Sequence, residues 1–197
     1  ISLDTIDPDK FTDLTRWGKL LDVWDGIQAA EEAGLTPIKI NAVIIKDYNE
    51  SDMVPLARMT FEHPWQIRFI EMMPFAGATN FQLSQLVPAS EMKELVEQEL
   101  GELQIDNEGH LDGEARVYHL DGAIGNLGFI SSVTQPFCAD CTRARLTADG
   151  RLRLCLLREK EIDLLTPLRQ GANLADLRTM ILDGIWQKPW GHKLAEG

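Results

Sequence analysis

The sequence lacks several features that would by themselves assign a function class. Its 197 residues hold no apolar run near the roughly 20 residues that cross a bilayer, which excludes a membrane-spanning helix. Basic residues are scarce, 19 against 31 acidic ones, and the net charge of −12 argues against a nucleic-acid-binding protein. There is also no G-x4-G-K-[ST] loop, so a bound nucleotide would have to be held by scattered basic side chains.

The rest of the composition is that of an ordinary globular protein, and the first 75 residues alternate between strand and helix signals. Residues 39–45 and 66–72 are rich in β-branched or aromatic side chains and predict buried strands, while 20–33 and 51–62 carry helical patterns. This alternation predicts a parallel sheet with crossover helices, and therefore an α/β fold. Residues 1–4 already resemble the end of a strand, so we expect a fragment that begins inside its fold.

A domain boundary is predicted after residue 75, where a loop of small residues begins, giving parts of residues 1–75 and 76–197. The second part has helical patterns at 90–100 and 173–186, with short strand signals between them. Near its middle, Ala148-Asp149-Gly150 predicts a hairpin turn, because glycine readily adopts a positive φ.

Three cysteines are the strongest chemical signal. Cys138 and Cys141 form a C-x2-C pair, and the predicted hairpin would return Cys155 to them. Three converging thiolates can hold a [4Fe–4S] cluster whose fourth iron stays open to an external ligand. A structural zinc site would need a fourth protein ligand, and three unconnected buried cysteines are a further interpretation. The histidines available to zinc are His63, His110, His119 and His192.

A cationic segment surrounds these cysteines in an otherwise acidic chain: residues 138–158 carry five arginines and two aspartates. Arg143 and Arg145 alternate on a predicted strand, so both side chains point to one face. Their planar guanidinium groups suit phosphate, which predicts a phosphorylated substrate beside the cysteines. The alternatives are a solvated hairpin face and ion pairs with Asp140 and Asp149.

The block FCADCTRARLTADG at residues 137–150, followed by Leu154-Cys155-Leu156, closely resembles the molybdenum-cofactor biosynthesis protein A family. These are the GTP 3',8-cyclases among the radical S-adenosylmethionine enzymes. The resemblance covers essentially the whole chain. It implies the C-terminal part of an incomplete (β/α)6 radical S-adenosylmethionine barrel, followed by an α+β domain with an iron–sulfur cluster site. Further matches, in the same order, are Ser2-Leu3-Asp4, Lys39-Ile40-Asn41, Arg68-Phe69-Ile70-Glu71 and Gly128-Phe129-Ile130.

The resemblance also implies an activity, the conversion of GTP to (8S)-3',8-cyclo-7,8-dihydroguanosine 5'-triphosphate in molybdenum cofactor biosynthesis. In the family, a cluster on an N-terminal C-x3-C-x2-C motif cleaves S-adenosylmethionine, and the radical formed removes hydrogen from C3' of GTP. A second [4Fe–4S] cluster binds the guanine base through its open iron. By position, the residues implied are Cys138, Cys141 and Cys155 for this second cluster, Lys39, Arg68, Arg143 and Arg145 for GTP, and Ser2 and Met73 for S-adenosylmethionine.

Two departures from the family limit what this chain should do alone. It has no C-x3-C-x2-C motif and does not end in the family's Gly-Gly, so we expect no radical chemistry from it in isolation. The resemblance further implies a cyclic pyranopterin monophosphate synthase as pathway partner and a homodimer as one assembly. Three reduced thiols that hold a cluster need a reducing environment, which predicts the cytoplasm as compartment. Competing hypotheses are a zinc-stabilised module without activity, and another radical enzyme whose auxiliary cluster serves a substrate such as a peptide.

Overall fold

A computed structural model describes residues 1–73, 83–106, 111–189 and 191. The chain divides into two compact units, Ile1–Gln135 and Pro136–Gly197. The predicted loop that begins at Phe75 lies outside the described residues. Among the residues described, no helix has the length and apolar character needed to span a membrane.

The first unit is an α/β unit built on a mixed six-stranded sheet in the order β1-β2-β6-β5-β3, with β4 paired to β5. β1, β2 and β6 are parallel, whereas β5 runs antiparallel to its neighbours. The predicted strand–helix–strand unit is confirmed as β1, α3 and β2. The helices are α1 (Pro8–Thr15), α2 (Leu20–Glu32), α3 (Met53–Glu62) and α4 (Ala89–Leu100), and the strands are β1 (Lys39–Ile44), β2 (Gln66–Glu71), β3 (Leu103–Ile105), β4 (Leu111–Asp112), β5 (Ala115–Leu120) and β6 (Asn126–Ile130).

The sheet of the first unit has two chemically different faces. Alternate residues of β1, β2 and β6 are apolar and lie in one core with side chains of α2, α3 and α4. On the other face of the same strands, the residues near the N-terminal ends of the strands are polar, and we call this face the polar face. Because Lys39 is in register with Gln66 and Gln66 with Asn126, these side chains share one side of the sheet. The residues of the polar face are Lys39, Asn41, Gln66, Arg68 and Asn126.

This sheet runs across the predicted boundary after residue 75. β6 pairs with β2, and β5 pairs with β6, so strands from both predicted parts share one hydrogen-bonded ladder. The division between compact units therefore falls after Gln135 instead. As a boundary between family domains, residue 75 stays a prediction.

The second unit contains a three-stranded antiparallel sheet and two helices. The predicted hairpin is confirmed: Arg145 pairs with Arg153, and Gly150 has a φ of 73° in the turn. The longer of these two helices, Leu174–Trp186, is buried at Gly184, where an added Cβ would meet the side chain of Ile162. The elements are β7 (Arg145–Leu146), β8 (Arg151–Arg153), β9 (Glu161–Asp163), α5 (Leu165–Arg169) and α6 (Leu174–Trp186).

Candidate functional site

On the polar face, two of the predicted GTP-binding residues converge on a single carboxylate. Lys39 Nζ lies 3.0 Å from Asp112 Oδ1 and 2.7 Å from Asp112 Oδ2. Arg68 Nη2 donates to the same Oδ2 at 2.8 Å. Lys39 is on β1, Arg68 on β2 and Asp112 at the end of β4, so the sheet topology assembles this ion triad from three separate strands.

Arg68 lies on a buried central strand, and its neighbours accommodate it. Its side chain is only 10% exposed, and its Nε donates to the side-chain oxygen of Gln66. Its register partner on β6 is Gly128. A Cβ at Gly128 would lie 3.0 Å from Arg68 Cγ and 3.1 Å from Ala115 Cβ. The glycine therefore leaves room for the arginine stem to cross the sheet surface.

The electrostatics of the triad favour an ionised carboxylate. The pKa of Asp112 is lowered, first by the hydrogen bond from Lys39 and then, against partial burial, by the charge of Arg68. Two amide oxygens of the polar face, Asn41 Oδ1 and Asn126 Oδ1, are buried and have no hydrogen-bond partner among the described residues. Buried acceptors are nearly always satisfied, so this face is suited to a ligand that donates hydrogen bonds as well as one that carries negative charge.

A second carboxylate organises the far end of β2. Glu71 is fully buried and accepts hydrogen bonds from the backbone N–H groups of Ala89 at 2.8 Å, Val133 at 2.8 Å and Thr134 at 2.9 Å. The Thr134 hydroxyl donates to it as well. Glu71 therefore ties β2 to the first residue of α4 and to the segment after β6.

The two predicted S-adenosylmethionine residues lie at different levels of the sheet. Ser2 is exposed and forms a parallel bridge with Asn41, which is the register partner of Arg68. Met73 is half-buried and follows β2 beyond Glu71. The structure places Ser2 level with the cationic pair and Met73 beyond the carboxyl end of the strand.

In the second unit, Cys138 and Cys141 lie at the two ends of one tight turn. Cys138–Asp140 is a 3₁₀ turn, and Cys141 N–H donates to the Cys138 carbonyl at 3.3 Å. Cys155 lies beyond β8, directly after the buried Leu154. All three thiols are free and half-buried, so no disulfide is present. This leaves three soft donors available for a metal or cluster.

A lysine from the end of the chain contacts the same turn. Lys188 Nζ donates to the carbonyls of Cys141 and of Arg143, the latter at 2.9 Å, and lies 3.4 Å from Cys141 Sγ. Over the described part of the chain, no group of three or more His, Cys, Asp or Glu residues is arranged to hold a metal ion. Convergence of the three thiolates therefore stays a prediction.

Arg143 and Arg145 are both exposed. Strand β7 begins at Arg145, so the predicted strand is shorter than expected and does not include Arg143. Desolvation, reinforced by the charge of Arg145, lowers the pKa of Arg143. Asp149, one of the two ion-pair partners considered from the sequence, instead accepts from Arg151 Nε at 3.2 Å and from the Thr147 hydroxyl. The side chain of Asp140 lies outside the described residues.

Sequence reasoning missed Asp112, Glu71 and Lys188 as site-forming residues. Asp112 lies 44 residues from Arg68 and Lys188 lies 47 from Cys141, so no local spacing links them. One signal for Glu71 was available in the sequence. In the segment Arg68–Glu71, two charged residues flank two apolar ones within a predicted buried strand, where charged side chains are rare unless they are paired.

Comparison with known proteins gives a consistent result. The GTP 3',8-cyclase of Pelotomaculum thermopropionicum is 41% identical over 197 residues, covering 100% of this chain and 61% of that protein. The GTP 3',8-cyclase of Desulforamulus reducens is 40% identical over 196 residues, covering 100% of this chain and 60% of that protein. The chain thus spans about 60% of the length of these curated relatives. Residues 65–194 match the model of the family described as Molybdenum Cofactor Synthesis C. The chain belongs to the Molybdenum Cofactor Synthesis C family.

Proposed function

We propose that this chain is the substrate-binding part of a GTP 3',8-cyclase, and that it binds GTP without transforming it when alone. The observation that carries the proposal is identity of about 40% along the whole chain to proteins of that name. The three cysteines present can serve one cluster only, and they are not in the C-x3-C-x2-C spacing of the radical-generating one. Turnover of GTP by the isolated chain would contradict this.

The geometry of the first unit supports a site for the triphosphate. Lys39 and Arg68 present two positive charges to one point on the polar face, and this point is already occupied by an anionic group. Arginine and lysine bind phosphate through charge-assisted hydrogen bonds. The unsatisfied oxygens of Asn41 and Asn126 add acceptors for a ligand's hydroxyl or amine groups.

The second unit supports the cluster and the remaining phosphate contacts. Cys138, Cys141 and Cys155 are free thiols, and Arg143 and Cys155 each lie two residues beyond the last pair of the hairpin, Arg145 with Arg153. A [4Fe–4S] cluster bound there would supply an open iron position for the guanine base. Arg145, at the start of β7, and Arg143, two residues before it, would bind GTP.

The remaining parts of the proposal follow the family. Residues 1–75, with strands β1 and β2, would be the C-terminal portion of the incomplete barrel, and Ser2 and Met73 would line the S-adenosylmethionine site. A homodimer and a cyclic pyranopterin monophosphate synthase acting on the product would be the partners. Three free thiols suit a reducing compartment such as the cytoplasm.

The first test is the iron, sulfide and zinc content after anaerobic reconstitution. We expect about four iron and four sulfide per chain. The single variants Cys138→Ala, Cys141→Ala and Cys155→Ala should each lose most of this iron. About one zinc without sulfide would instead support the non-enzymatic zinc module.

The second test is GTP binding by isothermal titration calorimetry. Lys39→Met and Arg68→Met should each weaken GTP binding about tenfold, because each removes a charged hydrogen-bond donor to phosphate. The matched controls Lys46→Met and Arg58→Met remove the same charges from exposed positions and should change affinity less than about twofold. Equal effects of all four variants would contradict a site at Lys39 and Arg68. Tighter binding of a peptide than of GTP would favour the other radical enzyme.

A further inference from the structure

The acidic member of the ion triad lies on the shortest of the three strands that supply it. Asp112 ends β4, a two-residue strand at the sheet margin that pairs with Ala115 and Arg116 of β5, whereas Lys39 and Arg68 lie on six-residue strands. The side chains of Asp112 and Lys39 are each 35% exposed, whereas that of Arg68 is 10% exposed and is also held by Gln66. A two-residue strand can move locally at lower cost in free energy than a six-residue strand of the same sheet.

The charges of the triad are also unequal. Two cations share one carboxylate, so the three side chains of the triad together carry a net positive charge. A ligand with a single negative charge would replace Asp112 without lowering the net positive charge around Lys39 and Arg68. A ligand with several adjacent negative oxygens would neutralise both cations at once and could contact them with better geometry than one carboxylate.

We infer that Asp112 is a displaceable internal counter-ion: its carboxylate holds Lys39 and Arg68 in place, and an incoming polyphosphate replaces it. Because a ligand must compete with Asp112 for the two cations, multiply charged ligands should bind at this site more tightly than singly charged ones. The inference rests on the proposed phosphate site at Lys39 and Arg68 and adds the group that competes for it.

The test compares affinities of the 197-residue chain for inorganic tripolyphosphate by isothermal titration calorimetry. Asp112→Asn keeps the shape of the side chain but removes the competing charge. We expect Asp112→Asn to bind tripolyphosphate about five- to tenfold more tightly than the parent chain, because the ligand no longer competes with a partly exposed carboxylate for the two cations. Asp25→Asn, at an exposed position of α2, makes the same change in net charge and should alter affinity less than about twofold. Asp112→Glu, which keeps the charge, should also stay within about twofold of the parent chain.

Unchanged or weaker binding by Asp112→Asn would overturn the inference, because the carboxylate would then be neutral toward the ligand or help to hold it. So would equal tightening by Asp25→Asn, which would reduce the effect to net charge. Failure of the proposed function looks different: Lys39→Met would then bind tripolyphosphate as well as the parent chain. Amide hydrogen exchange of β1 and β2 in each variant, unchanged from the parent chain, shows that a gain in affinity does not come from a rearranged sheet.

Discussion

Residues 1–135 bury a continuous apolar cluster between one sheet face and four helices, whereas the buried hydrophobic side chains among the described residues of 136–197 are Leu152 and Leu154. The second unit also leaves large apolar side chains in solvent. A chain segment of this size rarely folds stably on so small a core. Its exposed large hydrophobic residues are Leu146, Leu156, Leu168, Leu174, Leu182, Ile185 and Trp186.

The difference extends to polar contacts. In the first unit, Glu71 is completely buried and satisfied by backbone donors, and the Lys39–Arg68–Asp112 triad lies on a sheet already held together by its other face. In the second unit, order comes from a hairpin turn, a helix cap at Asn173 and the contacts of Lys188. The first unit is thus a scaffold that presents a site, while the second depends on local contacts and, by our proposal, on a cluster.

The largest effect should come from loading that cluster. Reconstitution with iron and sulfide should slow amide exchange in the second unit about a hundredfold, because binding to the folded state alone adds its free energy to folding. Exchange in β1, β2 and β6 should change little. If bound iron slowed amide exchange equally in both units, the second unit would not depend on the cluster more than the first does. The control is Cys155→Ala, in which the same reconstitution should not slow exchange.

The next largest effect should come from Glu71 in the first unit. Glu71→Ala leaves two buried backbone N–H groups and one partly buried N–H group without their acceptor and should cost about 3–5 kcal/mol of unfolding free energy. Amide hydrogen exchange in β2 and in the first turn of α4 would report this loss of unfolding free energy. Glu62→Ala, at an exposed glutamate, is the control and should cost under about 0.5 kcal/mol. A similar small cost for both variants would show that this end of the sheet does not depend on the carboxylate.

Much of the first unit could be predicted from the sequence, because its elements have strong local signals. Strand β1 and helix α2 follow from a β-branched run and apolar periodicity, and in the second unit the hairpin around Gly150 follows from turn chemistry. The two-residue strand β4 and the role of Asp112 could not be predicted, since they exist only through pairing with β5 and the distant Lys39 and Arg68. The sequence identified the cations of the site but not the group that pairs with them.

Glycine substitutions should separate a rigid unit from an adaptable one. At Gly125 an added Cβ would lie 2.3 Å from the Trp65 carbonyl and 2.7 Å from that of His63, and backbone cannot yield. Gly125→Ala should therefore cost about 3 kcal/mol. At Gly184 the obstacle is the end of the Ile162 side chain, which can rotate, so Gly184→Ala should change stability by less than about 1 kcal/mol.

The control for both is Gly26→Ala in α2, where no atom lies within 4 Å of the added Cβ. It should stabilise the first unit by about 0.5–1 kcal/mol through helix propensity. Denaturant unfolding followed by hydrogen exchange assigns each change to its unit. A larger loss at Gly184 than at Gly125 would reverse the expected order of rigidity.

The smallest effect concerns the pH dependence of the first unit. The pKa of Asp112 is lowered in the folded protein, so its ion pairs stabilise the fold above the unfolded pKa of about 3.9 and lose this effect as pH falls through the folded value. Because the carboxylate is partly exposed, Asp112→Asn should cost only about 1 kcal/mol at neutral pH. Urea unfolding from neutral pH down to about pH 3 should show the two proteins converging below about pH 4. A difference that persisted at low pH, where Asp112 is protonated, would mean that Asp112 stabilises β4 through hydrogen bonds that an amide cannot make and not through its charge, and the ion triad would then be a consequence of the fold instead of one of its supports.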